Sequence, residues 1–238
     1  MLGIIAGSGM YSLGKKVGEI DVETKYGSVS LQKVRILDEE MIFLPRHGTD
    51  HAVPAHMVNH RANISALSKV GVSGVLSIYA SGIISGYKIG DIIQIEDFIG
   101  LLSPATFYDD FSGGIRHTDF SEPFDLDMQT KLEEVASAVK VKLKDGGIIA
   151  TTTGPRYETK TEVAFLRSMG ANLVNMTAAP ELSLLGEAEI DHVALAVGTN
   201  FAAGVSKKPL SAQEVEKSMK GAYGKLVALI GGFAEEIV

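Results

Sequence analysis

The stretch TTTGPRYETKTEVAFLRSMGANLVNMTAAPE, residues 151–181, decides the fold. It reads as a strand that ends in a Gly-Pro turn, a helical segment that begins at Glu158, and a second strand, NLVNM, which is followed by Thr177 and another helix. In open α/β sheets, ligands bind at the carboxyl ends of the strands. The stretch therefore predicts two such strand ends, each with polar side chains that can reach a ligand.

Strands and helices alternate through the second half of the chain, which favours an α/β fold with a largely parallel sheet. Short predicted strands dominate the first half, so we expect the sheet to be mixed. We predict one α/β domain over residues 1–238, a twisted mixed β-sheet flanked by helices. Apolar periodicity predicts helices over residues 127–144, 158–169 and 180–189. A final helix is predicted from Ser211, because Ser211 and Glu214 have the spacing of a capping box.

Composition narrows the function. The chain has 238 residues, 45% of them hydrophobic, a net charge of −7 and no cysteine. An acidic protein lacks the basic surface of nucleic-acid binding, and the absence of cysteine excludes disulfides and thiolate catalysis. No apolar run is long enough to span a membrane. We expect a cytoplasmic enzyme that builds any phosphate site from a few local groups.

Two segments near the amino terminus can hold an anion. Gly7-Ser8-Gly9 follows the first predicted strand and can cradle a phosphate, although an ordinary tight turn is an equal alternative. A dinucleotide fingerprint would need glycine at position 12, where the chain has Ser12. The second segment is RHGTDHAVPAHMVNHRANISAL, residues 46–67. Its Arg46 follows a strand and is predicted to clamp a phosphate through two parallel hydrogen bonds.

The four histidines of that segment, at positions 47, 51, 56 and 60, also suggest a metal site. No H-E-x-x-H pattern occurs, however, and Asp50 is the only carboxylate among them. We therefore predict no metal. A solvated polar turn that leads into a helix is the plainer alternative.

Other positions have both ordinary and functional interpretations. A lone glutamate at a helix start, such as Glu158, usually compensates the helix dipole. Met176, at the end of an apolar strand, is by itself a core residue, and Asn200, after the strand HVALAV, is by itself a turn former. The turn Tyr79-Ala80-Ser81-Gly82 would alone be only a strand exit.

These motifs together resemble the trimeric purine nucleoside phosphorylase and methylthioadenosine phosphorylase family. The similarity covers residues 7–216 and includes the segments RHG…H..P…N.RANI.AL, GPRYET, TFYDD at 106–110, EPF at 122–124 and TNFAAG at 199–204. The resemblance implies phosphorolysis of a purine nucleoside to the free base and a sugar 1-phosphate, with inorganic phosphate as co-substrate and no cofactor. It also implies a homotrimer or a dimer of trimers.

The segment at 199–204 corresponds to the loop that recognises the base in this family, and its sequence differs between the 6-oxopurine and the methylthioadenosine branches. TNFAAG is typical of 6-oxopurine enzymes, whereas methylthioadenosine enzymes carry Asp in place of both Asn200 and Ala202. The resemblance therefore implies cleavage of inosine and guanosine, with 5′-methylthioinosine as a further candidate. Adenine-directed methylthioadenosine phosphorolysis is the alternative. A non-catalytic nucleoside-binding protein and a dinucleotide-dependent oxidoreductase are rivals of other classes.

The resemblance assigns roles to individual residues. Those implied for phosphate are Ser8, Arg46, His47, Tyr79, Ala80 and Thr177. Those implied for the nucleoside are Tyr157, Glu158, Met176, Asn200 and Ala202. Asn200, Glu158 and His47 are the implied catalytic residues, Ala212 joins Glu158 and Asn200 in specificity, and His117 is expected to reach the pocket of a neighbouring subunit.

Overall fold

A computed structural model describes residues 1–48, 52–101 and 105–237. Within these ranges the strands are β1 Leu2–Ala6, β2 Lys15–Thr24, β3 Gly27–Ile36, β4 Glu39–Pro45, β5 Gly74–Ile83, β6 Ile92–Ile99, β7 Leu143–Thr151, β8 Leu173–Asn175 and β9 His192–Phe201. The α-helices are α1 His60–Val70, α2 Leu126–Ala138, α3 Lys160–Ser168, α4 Ala178–Glu187 and α5 Ala212–Ile237, and a 3₁₀ turn covers Ala55–Met57.

All nine strands join one sheet in the order β2-β3-β4-β1-β5-β8-β7-β6-β9. Strand β9 pairs with β6 and also returns to pair with β5, so the second half of the sheet closes on itself. Strand β1 is parallel to β4 and β5, while β2–β3, β3–β4, β5–β8 and β6–β9 are antiparallel. The predicted mixed α/β sheet flanked by helices is confirmed.

The helices cover both faces of the sheet, and β1 shows why. Leu2 and Ile4 are fully buried against the layer formed by α2 and α5. Ile5 points the other way, into the layer that contains α1 and α4. Burying an aliphatic side chain contributes about 1.5–3 kcal/mol, so strands that are apolar on both faces favour this layered arrangement. No helix in the described ranges has both the length and the apolarity to span a membrane.

Three predicted helices have wrong boundaries, and the one predicted over 180–189 lies two residues earlier, at Ala178–Glu187. The helix predicted over 127–144 ends at Ala138, because Lys140 adopts a left-handed backbone with φ of 57° and the chain reverses into β7. The helix predicted from Glu158 begins at Lys160, with Thr159 as its N-cap. Glu158 thus precedes the helix, and this shift matters for the site described next.

Candidate active site

A cavity of about 550 Å³ opens at the carboxyl ends of β1, β4, β5, β7, β8 and β9. This is the position expected for a ligand site in an α/β sheet. Every predicted phosphate, nucleoside and specificity residue lines it: Ser8, Arg46, His47, Tyr79, Ala80, Tyr157, Glu158, Met176, Thr177, Asn200, Ala202 and Ala212. His117 does not. Its side chain is exposed and lies edge-on to Phe111, with ring centroids 6.0 Å apart.

Arg46 is buried at one end of the cavity and already has partners. Its Nε and Nη2 atoms donate to the two carboxylate oxygens of Glu181 at 2.6 and 2.8 Å, and Nη1 donates to the carbonyl of Ile78 at 3.0 Å. A guanidinium carries five N–H donors, so two remain, one on Nη1 and one on Nη2. Glu181 thus occupies the Nε–Nη2 fork, and the predicted clamp on phosphate stays a prediction that depends on the other N–H groups.

Glu181 is the centre of a buried polar cluster. Its side chain is 1% exposed, and besides Arg46 it accepts hydrogen bonds from Ser77 Oγ at 2.9 Å and from the Tyr79 hydroxyl at 2.7 Å. Burial opposes ionisation of this carboxyl, but the attraction of Arg46 and the hydrogen bonds prevail and lower the pKa of Glu181. The Arg46 guanidinium also lies 4.5 Å from the centroid of the Tyr79 ring. The pair is therefore ionised, and both oxygens of the Glu181 carboxylate accept hydrogen bonds.

His47 and Gly7 bring the first two strand ends together. The Nδ1 atom of His47 donates to the carbonyl of Val53 at 2.9 Å, which turns the Nε2 edge toward Gly7. A β-carbon at position 7 would lie 2.8 Å from His47 Cδ2 and 3.0 Å from Arg46 Nη1. Glycine thus allows the Gly7-Ser8-Gly9 turn to approach both basic side chains. The motif is a turn, and this turn forms part of the cavity wall.

Thr177 is the N-cap of α4, but its side chain does not cap the helix. The Asn175 carboxamide oxygen instead accepts from the backbone N–H groups of Thr177 and Ala178, at 3.4 and 3.2 Å. The hydroxyl of Thr177 therefore remains available to a ligand in the cavity. Ligands with negative charge are favoured at this position, because the amino end of a helix carries partial positive charge.

Glu158 lies at the other end of the cavity and accepts a hydrogen bond from Thr152 Oγ1 at 2.6 Å. The partial positive charge at the amino end of α3 is compensated by Glu162. This residue forms a reciprocal capping box with Thr159 and a two-point ion pair with Arg156. Glu158, although buried, is thereby left with acceptor capacity directed at the cavity. Its interpretation as a dipole-compensating surface residue is wrong.

Asn200 lies within β9, so its interpretation as a turn former is also wrong. Its carboxamide oxygen accepts from Thr199 Oγ1 at 2.9 Å, and its Nδ2 donates to the carbonyl of Phe201 at 3.1 Å. One N–H donor and one acceptor position remain. The two neighbours thus fix the direction in which the carboxamide faces the cavity, where Ala202 adds an apolar wall.

Another wall of the cavity is formed by α5 and by Met176. Ala212 is the first residue of α5, and Val215 and Glu216, nearly one turn further, line the same wall. The Ser211 hydroxyl accepts from the N–H of Glu214 at 3.3 Å, which confirms Ser211 as the residue at the start of this helix.

The three histidines of residues 46–67 that the structure describes do not converge. His47 faces the main cavity, whereas His56 and His60 line a neighbouring cavity of about 630 Å³ that shares Ala55 and Met176 with it. His51 and Asp50 lie outside the described residues. Across the described residues, no group of three or more histidine, aspartate or glutamate side chains has the geometry to hold a metal ion.

Sequence reasoning missed Glu181. The residue was visible only as the second half of a Pro-Glu pair at a predicted helix start. A stronger signal was present, because Glu181 is the single charged residue in the apolar run AAPELSLL of α4. A carboxylate in such a run must be either exposed or paired.

Comparison with known proteins agrees with this geometry. Residues 1–235 match the family model described as "Phosphorylase superfamily". A protein of Moorella thermoacetica named "Probable 6-oxopurine nucleoside phosphorylase" is 39% identical over 92% of this chain and 86% of its own length. One of Thermodesulfovibrio yellowstonii, "Probable S-methyl-5'-thioinosine phosphorylase", is 36% identical over 96% and 88%.

Among solved structures, methylthioadenosine phosphorylase from Schistosoma mansoni in complex with adenine superimposes with a TM-score of 0.90. It is 27% identical in sequence, and the match covers 99% of this chain and 91% of the other. The family predicted from the motifs is thereby confirmed, and the chain belongs to the phosphorylase superfamily.

Proposed function

We propose that this protein is a purine nucleoside phosphorylase that cleaves 6-oxopurine nucleosides with inorganic phosphate. The observation that carries the proposal is the base end of the cavity, where an acceptor-only carboxylate, Glu158, lies opposite a fixed carboxamide, Asn200, with Ala202 beside it. The names of the two bacterial relatives support the same class of substrate.

The base end matches hypoxanthine and guanine. Both bases carry an N1–H donor and an O6 acceptor, whereas adenine reverses these two roles. Glu158 accepts from N1–H, and from the 2-amino group of guanine. The remaining N–H of Asn200 donates to O6, while its oxygen accepts from N7 once that nitrogen gains a proton.

The opposite end of the cavity suits the nucleophile. Ser8, the two remaining N–H groups of Arg46, His47 and the Thr177 hydroxyl surround the place where phosphate binds beneath the sugar. A phosphate oxygen forms a bond to C1′ as the C1′–N9 bond breaks. The electron pair of the C1′–N9 bond passes to the purine. The proton of hydrogen phosphate is balanced by the proton that the base gains, so the products are free purine and sugar 1-phosphate.

The transition state of this mechanism is stabilised electrostatically. The phosphate anion faces the oxocarbenium-like sugar. The chemistry requires no cofactor, metal or covalent intermediate. We further propose a cytoplasmic location and a homotrimer or dimer of trimers, in which His117 contacts a neighbour's pocket; light scattering together with activity at assay concentration tests the assembly.

Release of hypoxanthine from inosine, with and without phosphate, tests the function. We expect strict phosphate dependence and cleavage of inosine and guanosine about 10⁴ times faster than of adenosine, because adenosine would leave buried polar groups unpaired. Binding of inosine without phosphate-dependent cleavage would favour a non-catalytic protein. Equal cleavage of adenosine and inosine would favour the alternative, a methylthioadenosine phosphorylase, which is the activity named for the Schistosoma structure.

A further inference from the structure

Glu181 lies behind the phosphate end of the cavity and has no part in the mechanism above. Glu181 does not line the cavity, yet it holds the side chain of a residue that does. Glu181 is four residues, about one helical turn, after Thr177, the N-cap of α4. The two residues therefore lie on the same side of the helix.

We propose that Glu181 is a positioning residue for phosphate, which orients the Arg46 guanidinium and sets its spacing from Thr177. The inference rests on the proposed function and extends it to a residue outside the cavity.

The geometry of the pair leaves Arg46 one orientation. Glu181 takes the Nε–Nη2 fork and the Ile78 carbonyl takes one Nη1 hydrogen, so one N–H group remains on Nη1 and one on Nη2. Nη1 borders Gly7, and Arg46 lines the cavity. Because Glu181 holds the Nε edge of the guanidinium, the two remaining N–H groups keep a fixed direction and can donate to phosphate.

The carboxylate is itself held from two sides. Its Oε1 atom accepts from Ser77 and Tyr79, which belong to β5, while Arg46 follows β4 and Glu181 belongs to α4. The cluster thus links the end of β4 and the middle of β5 to α4, the helix that follows Thr177. Groups that bind phosphate from separate parts of the chain are kept at one spacing.

A positioning role and a purely electrostatic role of Glu181 predict opposite changes in phosphate binding when the residue is replaced by glutamine. Glu181 neutralises Arg46, so its replacement by glutamine adds one positive charge beside the anion site and should tighten phosphate binding. If Glu181 positions Arg46, the amide N–H₂ group of glutamine instead faces the Arg46 donors, the fork is lost, and phosphate binding weakens. The sign of the change separates the two roles.

The experiment compares Glu181→Gln with Glu189→Gln, which makes the same charge change at an exposed position just beyond α4. We expect Glu181→Gln to raise the phosphate KM at least tenfold, since misplacement by about 1 Å costs up to 10²-fold, with the inosine KM changed less than about twofold. Phosphate should also raise the Tm of this variant less than that of the wild type. Glu189→Gln should match the wild type in both measurements.

Ser77→Ala provides a milder variant, because it removes one donor to Glu181 and leaves the lining of the cavity intact. It should raise the phosphate KM in the same direction by a smaller factor, and it decides the matter if Glu181→Gln does not fold. A folded Glu181→Gln, or failing that Ser77→Ala, with an unchanged or lower phosphate KM overturns the inference alone. A wild-type protein that needs no phosphate overturns the proposed function and the inference together.

Discussion

At the end of the cavity that contains Arg46, hydrogen bonds join residues far apart in the chain. Glu181 is 135 residues from Arg46, 104 from Ser77 and 102 from Tyr79, and all four side chains are buried. A change here removes a partner from a buried charge. Folding and phosphate binding should therefore suffer together.

At the end that contains Glu158 and Asn200, the partners are local. Thr152 precedes Glu158 by six residues, and Asn200 bonds to its own neighbours, Thr199 and Phe201. No ion pair depends on either side chain. A change at this end should alter which base is recognised while it leaves the fold nearly as stable, so the two ends differ in what a substitution costs.

The largest effect is expected for Arg46→Ala. The substitution leaves the Glu181 carboxylate buried without its cation, which should lower the free energy of unfolding by about 3–5 kcal/mol. The phosphate KM should rise more than the inosine KM. Urea unfolding and steady-state kinetics measure the two effects.

Arg35→Ala is the matched control for that variant, because Arg35 pairs with Glu40 at the exposed surface. Exposed ion pairs contribute little to stability, so the control should unfold close to the wild type. An Arg46→Ala protein as stable as Arg35→Ala would mean that the distant partners do not act as one buried unit.

His60, which lines the neighbouring cavity, should make the stability of the fold sensitive to acid. Burial, with a contribution from Arg46, lowers the pKa of His60 from 6.5 to about 4, although Glu181 opposes the shift. Between these two values the unfolded chain binds a proton that the native state does not, so stability is lost as pH falls. The loss should be about 2–3 kcal/mol between pH 7 and pH 4.

His60→Asn should flatten that part of the stability profile, as measured by urea unfolding at several pH values. His56→Asn is the control, since His56 is exposed. Equal slopes for the wild type and His60→Asn would show that His60 is not buried in its neutral form. Because no hydrogen bond joins His60 to Glu158 or Asn200, base preference should not change in either variant.

At the base end, Asn200→Asp should shift specificity toward adenine nucleosides. A carboxylate accepts from the 6-amino group of adenine as well as from N7–H, and hydrogen bonds to charged groups contribute about 1.5–3 kcal/mol. The adenosine-to-inosine ratio of kcat/KM should therefore rise about 10–100-fold. Thr199 can donate to aspartate as it does to asparagine, but aspartate loses the hydrogen bond that Asn200 donates to the Phe201 carbonyl. The Tm should therefore fall, by less than that of Arg46→Ala.

Asn63→Asp, on α1 and outside the cavity, controls for the added charge in that experiment. A loss of stability as large as that of Arg46→Ala would contradict the contrast between the two ends. An unchanged base preference would remove Asn200 from the specificity residues.

The same contrast explains what could be predicted from the sequence. The strand ends, and with them the positions of Ser8, Thr177 and Asn200, follow from local apolar patterns and turns. The pairing of Arg46 with Glu181 does not, because it depends on how β4 and α4 meet in three dimensions. A sequence shows that a buried carboxylate needs a partner, but it does not show which one.

The predicted helix boundaries were wrong because they depend on local backbone conformation and capping, which the apolar spacing of the sequence does not show. The apolar spacing continues past Ala138, and only the left-handed conformation of Lys140 ends the helix there. Glu158 and Glu162 both stand near a helix start, and the capping box selects Glu162. The role of His117 stays a prediction, because it concerns a neighbouring subunit.

The sugar side allows the smallest of these tests. Ala212 has a small side chain at the mouth of the cavity, so 5′-methylthioinosine should be cleaved with a kcat/KM within about tenfold of that for inosine. Ala212→His fills this space and offers a hydrogen bond to a 5′-hydroxyl. It should therefore lower the methylthioinosine-to-inosine ratio by about tenfold, the effect of one methylene-sized misfit.

Gln213→His is the control for that substitution, because it places the same side chain on the next, exposed residue of α5, which does not line the cavity. An equal ratio in Ala212→His and Gln213→His would show that the 5′ group lies elsewhere in the cavity. A lower methylthioinosine-to-inosine ratio in Ala212→His alone would show that Ala212 sets specificity for the sugar. Like Glu158 and Asn200, it would do so without a partner far away in the chain. Specificity for both base and sugar would then reside in residues with only local support, while phosphate alone depends on the buried pair.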